Sequence, residues 1–132
     1  MHEVAQVASG EAFTNEQLSD VDRVIDLAKA ETGLLFSLYV GDVEGDIRDA
    51  AEAKHATFGP QASSVVLIVI SPGDRLLEIV TGDAAARRLT DRACALAALS
   101  MTTSFAGGDL AGGIVTGVRM LAEAAGHPIH VR

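Results

Sequence analysis

Tryptophan is absent, and aromatic side chains make up only 4% of the 132 residues. That leaves too few flat rings for the stacking surface that single-stranded nucleic acid needs. Basic residues are scarce as well: ten against eighteen acids, a formal charge of -8. A chain of that charge is repelled by phosphate backbones and by anionic lipid, which excludes nucleic acid and a bare membrane surface as partners. A single cysteine allows no internal disulfide and fits a reducing, cytoplasmic setting. Met1 to Gly10 has no basic segment leading into an apolar one, so no secretory signal is read there. The uncharged run Ala93 to Gly108 is shorter than the roughly 20 residues of a membrane-spanning helix. Half of it is small or hydroxylic, and it reads as a helix buried in a soluble domain.

What is present is ordinary for a globular domain: 48% hydrophobic and 21% charged residues. The length allows one core. Residues 1–12 carry little pattern and read as a loose arm, 13–126 as the domain, and 127–132 as a tail. Thr14 and Gln17 have capping-box spacing, with Phe13 as the staple residue. Leu18, Val21, Ile25 and Ala28 then form one apolar stripe of a helix that Gly33 closes. Leu34 to Val40 is a strand apolar on both sides. Asp46 opens a second helix, and Gly59-Pro60 ends it. Ser64 to Ile70 is the most β-branched stretch. With the turn Ser71-Pro72-Gly73-Asp74 and the strand Arg75 to Thr81, it predicts a β-hairpin. A short turn at Ala84 to Arg88 precedes two helices, Asp91 to Phe105 and Leu110 to Ala125. The second carries Gly113 and Gly117 on one face, a spacing for close packing. This order predicts an α/β fold: a three-layer α/β/α sandwich, Rossmann-like, around a small mixed sheet with a β-hairpin.

Several of these segments follow a known layout. Glu31-Thr32-Gly33, Val65 to Ile70 with its Pro-Gly turn, Glu78 to Gly82, Leu89-Thr90-Asp91 and Gly107-Gly108-Asp109 occur in the order and spacing of TPM domains, and the chain resembles that family over residues 11–125. It is most similar to a small actinobacterial branch of unknown function, through runs matching Asp91 to Met101 and Phe105 to Leu110. The resemblance implies a Rossmann-like α/β/α sandwich. For better-known members it implies roles in photosystem repair or receptor assembly, and for plant relatives acid phosphatase activity or calcium binding. The sequence carries neither the signal peptide nor the C-terminal membrane helix of many relatives, which argues against a membrane-anchored role.

Asp42, Glu44 and Asp46 alternate in the loop after the first of these strands. Alternating carboxylates can face one hard cation. The loop is not an EF-hand, because Ile47 and Ala53 stand where that loop needs Gly and Glu. The topology brings Asp74 and Asp109 toward the same end of the sheet, the edge where open α/β sheets bind ligands. Asp42, Glu44, Asp46, Asp74 and Asp109 are therefore the candidate ligands for calcium or another divalent cation. The alternative is a solvated loop with two helix caps. A metal-dependent phosphatase at this edge would also need a nucleophile and a phosphate clamp. No Asp-x-Asp after a strand, Cys-x5-Arg or P-loop supplies them.

Arg87, Arg88 and Arg92 read as helix-surface ion pairs, and Cys94 as a small buried hydrophobe. His127 and His130 lack a third ligand nearby in sequence. Residues 93–121 hold one acid, Asp109, and one base, Arg119. A helix apolar nearly all round must be covered on its far side. Any face left over, around Met101, Phe105 and Leu110, would bind a protein partner or a second copy of the chain. The favoured reading is a non-catalytic TPM-like module that binds protein or acts as a scaffold.

Overall fold

Val65–Ser71 is buried along its whole length, and the domain is arranged around it. The computed structural model describes residues 13–128 and the backbone of residues 5–7. The elements run β1 (Ala5–Val7), α1 (Asn15–Thr32), β2 (Leu35–Val40), α2 (Ile47–Ala56), a 3-10 segment (Gly59–Ser64), β3 (Val65–Ser71), β4 (Leu76–Thr81), α3 (Asp83–Ala86), α4 (Asp91–Ala106) and α5 (Leu110–Ala125). The result is a mixed α/β fold with one open sheet in the order β1-β2-β3-β4. β1 and β3 both pair parallel with β2, and β4 pairs antiparallel with β3.

Alternation along β3 divides the core. Val66, Ile68 and Ile70 join Phe36, Leu38 and Val40 of β2 against α1, α4 and α5. Val65, Leu67 and Val69 join Ile47 and Ala51 of α2. A strand whose two side-chain rows both enter apolar layers has no polar row, hence the unbroken VVLIVI run. β2, expected to be apolar on both sides, is covered unequally. Phe36, Leu38 and Val40 are buried, whereas Leu35, Ser37 and Tyr39 are half-buried.

Local chemistry sets the ends. Thr14 and Gln17 form the reciprocal capping box at the start of α1, and Gly33 ends it at φ 75°. Asp46, Thr90 and Asp109 each accept a backbone N–H in the first turn of α2, α4 and α5. Ala5–Val7 lies in the stretch expected to be a loose arm, and pairs with Leu38 to Val40. Three residues are too short for hydrophobic period to show. The Gly59-Pro60 pair, expected only to end α2, also opens the 3-10 segment Gly59–Ser64.

β4 is the other sheet edge, and one side chain guards it. Gly82 N donates to Val65 O, so Leu67–Val80 and Val69–Glu78 are the hydrogen-bonded pairs and Ile79 turns its carbonyl outward. Arg48 Nη1 donates to that oxygen at 3.2 Å and to Glu78 Oε1 at 3.1 Å, while its Nε donates to Glu52 Oε2 at 2.8 Å. The hydrogen bond to Glu78, and then the one to Glu52, hold this guanidinium above its ordinary pKa against partial burial. A charged group on an outward carbonyl is a standard way to blunt an edge.

Candidate functional site

The acidic loop follows β2 at the C-terminal edge of the parallel strands. Asp42, Glu44, Asp46, Asp74 and Asp109 are all exposed. Asp46 Oδ2 accepts from Asp49 N at 3.0 Å, and Asp109 Oδ1 from Gly112 N at 2.9 Å. Asp74 accepts from the Ser71 hydroxyl at 3.1 Å. Among the described residues no three His, Cys, Asp or Glu side chains lie together as a cation would require. Each of the five carboxylates has its own local setting. Two of these carboxylates are engaged by helix N-termini and one by the hairpin turn, and five mutually repelling groups spread into water. His127 contacts the Glu31 carbonyl through Nδ1 at 3.1 Å, and His130 lies outside the described residues.

The same edge holds a small cavity of about 260 Å³. Ile70, Phe105 and Leu110 line it with Ser71, Arg75 and Leu76. Arg75 adopts φ 56°, the one left-handed residue other than glycine among the described residues. The cavity is below the roughly 300–1,000 Å³ of a small-molecule site and would take little more than one side chain. A larger groove of about 730 Å³ runs between α1 and α5. Leu27 is exposed in it, and Asp20, Arg23, Glu31, Arg119 and Glu123 stand along its sides.

The expected apolar patch is displaced. Met101 is fully buried, and Phe105 and Leu110 are half-buried against the core. The reason is α5. A Cβ on Gly113 would stand 2.8 Å from Phe105 Cε1, and one on Gly117 2.6 Å from Met101 Sδ. The two glycines admit the two large side chains, so that face of α4 turns inward.

The opposite face of α4 turns out. Leu99 is 63% exposed and Leu96 47%, and Leu76 on β4 is 46% exposed. Leu76 shares the small cavity with Thr102 and Ala106, at the C-terminal end of α4. Arg92, Ala95, Leu96, Leu99, Thr102, Thr103 and Ala106 form its helical stripe, all exposed, and no charge interrupts it after Arg92. Half-buried Cys94 lies off this stripe, its thiol pushed above the ordinary value by burial and then by Asp91.

Comparison with known proteins gives a family of unknown function. Residues 1–122 match the model of a domain of unknown function, DUF5130. The chain belongs to this family. It is 25% identical over 111 residues to an uncharacterised protein of Mycobacterium tuberculosis, found in two strains. That match covers 83% of this chain and 65% of the relative, so the chain spans about two thirds of the length of the curated proteins it matches. The fold is shared with solved structures. The N-terminal domain of the cg2496 protein of Corynebacterium glutamicum superposes with a TM-score of 0.79 at 15% identity, covering 94% of this chain and 80% of that one. The BA42 protein of Bizionia argentinensis gives 0.79 at 18% identity, covering 89% and 83%. An N-terminal domain from P. gingivalis gives 0.80 at 16% identity, covering 97% and 88%. At these identities the likeness is one of fold. Among the described residues no helix is long and apolar enough to cross a membrane.

Proposed function

We propose that this domain is a non-catalytic protein-binding module whose contact surface is the outer face of α4. The observation that carries the reading is Leu96 and Leu99, side by side and exposed on a helix face that stays uncharged for four turns, in a chain of charge -8. Leaving two leucines and Leu76 in water forgoes roughly 1.5–3 kcal/mol of burial apiece. Contiguous exposed apolar surface of this kind marks interaction sites. The helices on both faces of the sheet support reading the fold as a TPM-like, Rossmann-like three-layer α/β/α sandwich. On that reading the N-terminal strand belongs to the domain. The free thiol Cys94 suits a reducing interior, and we take the cytoplasm as the setting.

The test is a photo-reactive amino acid at position 99 in the native cell, with position 16 on exposed α1 as control. Position 99 should give a discrete cross-linked product that disappears when Leu96→Glu is added, and position 16 should give none. Absence of any product at position 99 would remove the reading.

A further inference from the structure

The stripe on α4 has a centre. Counted outward from Leu99, Leu96 and Thr102 lie three residues away, Ala95 and Thr103 four, and Arg92 and Ala106 seven. These offsets are those of any helical face; what is particular here is that the exposed uncharged stripe is centred on the helix Asp91–Ala106 itself, so an antiparallel copy can cover its whole length. A surface of that form can meet its own copy across a two-fold axis, residue i against j and j against i.

Charge identifies the same occupant. Two copies of a chain of charge -8 repel wherever acidic surfaces face each other. Residues 93–108 carry no charge, so two copies can approach there without opposing carboxylates. The two ends of the helix are complementary. Arg92 stands in the first turn of α4, at the positive end of the helix dipole, and has no ion pair among the described residues. The last turn of α4 has no basic residue, and exposed Asp109 follows it. In an antiparallel pair each Arg92 comes to the negative end of the other helix, beside Ala106, where a cation is favoured.

We infer that the partner of this face is a second copy of the chain, joined by antiparallel packing of α4 on α4 about a two-fold axis at Leu99. Leu99 meets its own copy, Leu96 packs on Thr102 and Ala95 on Thr103. A 16-residue helix is about 24 Å long. One such face, even widened by Leu76, falls short of the roughly 800 Å² per partner of a standard interface, so the dimer is weak and depends on concentration. This inference rests on the protein-binding reading of the same surface.

Sedimentation of the whole chain over a concentration series up to millimolar tests it. The wild type should shift from monomer to dimer. Leu99→Glu should stay monomeric at every concentration with its melting temperature unchanged, and Arg92→Glu should raise the dissociation constant at least several-fold. A spin label at Ala95→Cys in a Cys94→Ala background, mixed with isotope-labelled unmodified chain, fixes the orientation. It should broaden the amides near Thr103 of the other copy rather than those near Ala95. A wild type that remains monomeric, a Leu99→Glu dimer, or broadening centred on residue 95 would each overturn the proposal. Cross-linking from position 99 separates the two readings. A product of twice the chain mass supports self-association, and a product with a different protein from a monomeric chain ends it while leaving the binding surface. No product together with a monomeric chain ends both.

Discussion

Met101 on α4 fills the space in which a side chain on Gly117 of α5 would stand. A Cβ there would lie 2.6 Å from Met101 Sδ, and Met101 is fully buried, so it has nowhere to swing. Gly117→Ala sets two effects against each other. Helix propensity favours alanine by about 1 kcal/mol, and overpacking a closed core costs about 1–3 kcal/mol. The net expectation is a loss of about 1 kcal/mol in urea unfolding. In a Met101→Ala background the same substitution should stabilise, because the vacated space accepts the methyl group. A cycle without this change of sign would show that α4 and α5 do not meet there.

Gly82 presents a harder case. Its N–H donates to Val65 O at 3.1 Å, closing the β4 ladder, and its own carbonyl accepts from Ala86 N at 2.8 Å. A Cβ would overlap Ala62 O and come within 2.6 Å of the Ser63 Cα and carbonyl carbon. Those are backbone atoms, and no rotamer relieves them. Gly82→Ala should cost about 3 kcal/mol. Gly73→Ala, in the open hairpin turn with nothing within 4 Å, should stay within about 0.5 kcal/mol. Equal stability of the two variants would contradict the close approach of the 3-10 segment to this glycine.

Much of this architecture is legible in the residues. Caps at Thr14, Asp46, Thr90 and Asp109, the left-handed Gly33 and the hairpin all depend on local chemistry, and each stands where the sequence puts it. The exposed face of α4 is harder to read, because α4 is apolar or small nearly all round and its own period does not say which side faces in. The signal lay on the other helix. Gly113 and Gly117 are four apart, as are Met101 and Phe105. A close-packing face on α5 calls for large side chains at that spacing opposite, which turns Met101 inward and leaves Leu96 and Leu99 outside. The carboxylates pose a related difficulty. Alternation along a loop shows that side chains share a region, not that they point at one centre.

Cys94 offers a chemical check on the packing of α4. Burial, and then Asp91, push its thiol up, so the neutral form is favoured in the folded state. The folded pKa therefore lies above the unfolded one. The associated stability is fully present below the unfolded thiol value and is lost as pH rises through the folded value. Unfolding free energy should be flat near neutrality and decline only in the alkaline range, and a Cys94→Ala variant should lack that decline. Alkylation of the native thiol at neutral pH should be slower than in the urea-unfolded chain, since only the thiolate reacts. A native rate equal to the unfolded one would mean that this side of α4 is open to solvent.

Arg88 ties together two helix ends that are far apart in sequence. Its Nη1 donates to Thr32 O at 2.7 Å, and its Nη2 to Gly126 O at 2.6 Å and Ala125 O at 3.3 Å. This half-buried guanidinium thus serves carbonyls at the C-termini of α1 and α5, rather than the surface ion pair its sequence context implies. Helix C-termini leave carbonyls without partners and carry partial negative charge. Both ends lie at one side chain, so the two helices end side by side. Hydrogen bonds from a charged donor contribute about 1.5–3 kcal/mol, and Arg88→Ala should lose about that much. Arg88→Lys should recover less than half, because an ammonium lacks the planar fork that spans two acceptors. Arg23→Ala, which removes only an exposed contact to Asp20 at 3.9 Å, should change stability by less than about 0.5 kcal/mol. Hydrogen exchange gives the decisive readout. In Arg88→Ala the amides of the last turns of α1 and α5 should lose protection together, at equal protein concentration and pH. Fraying of one helix alone, or full rescue by lysine, would show that the guanidinium does not join the two ends.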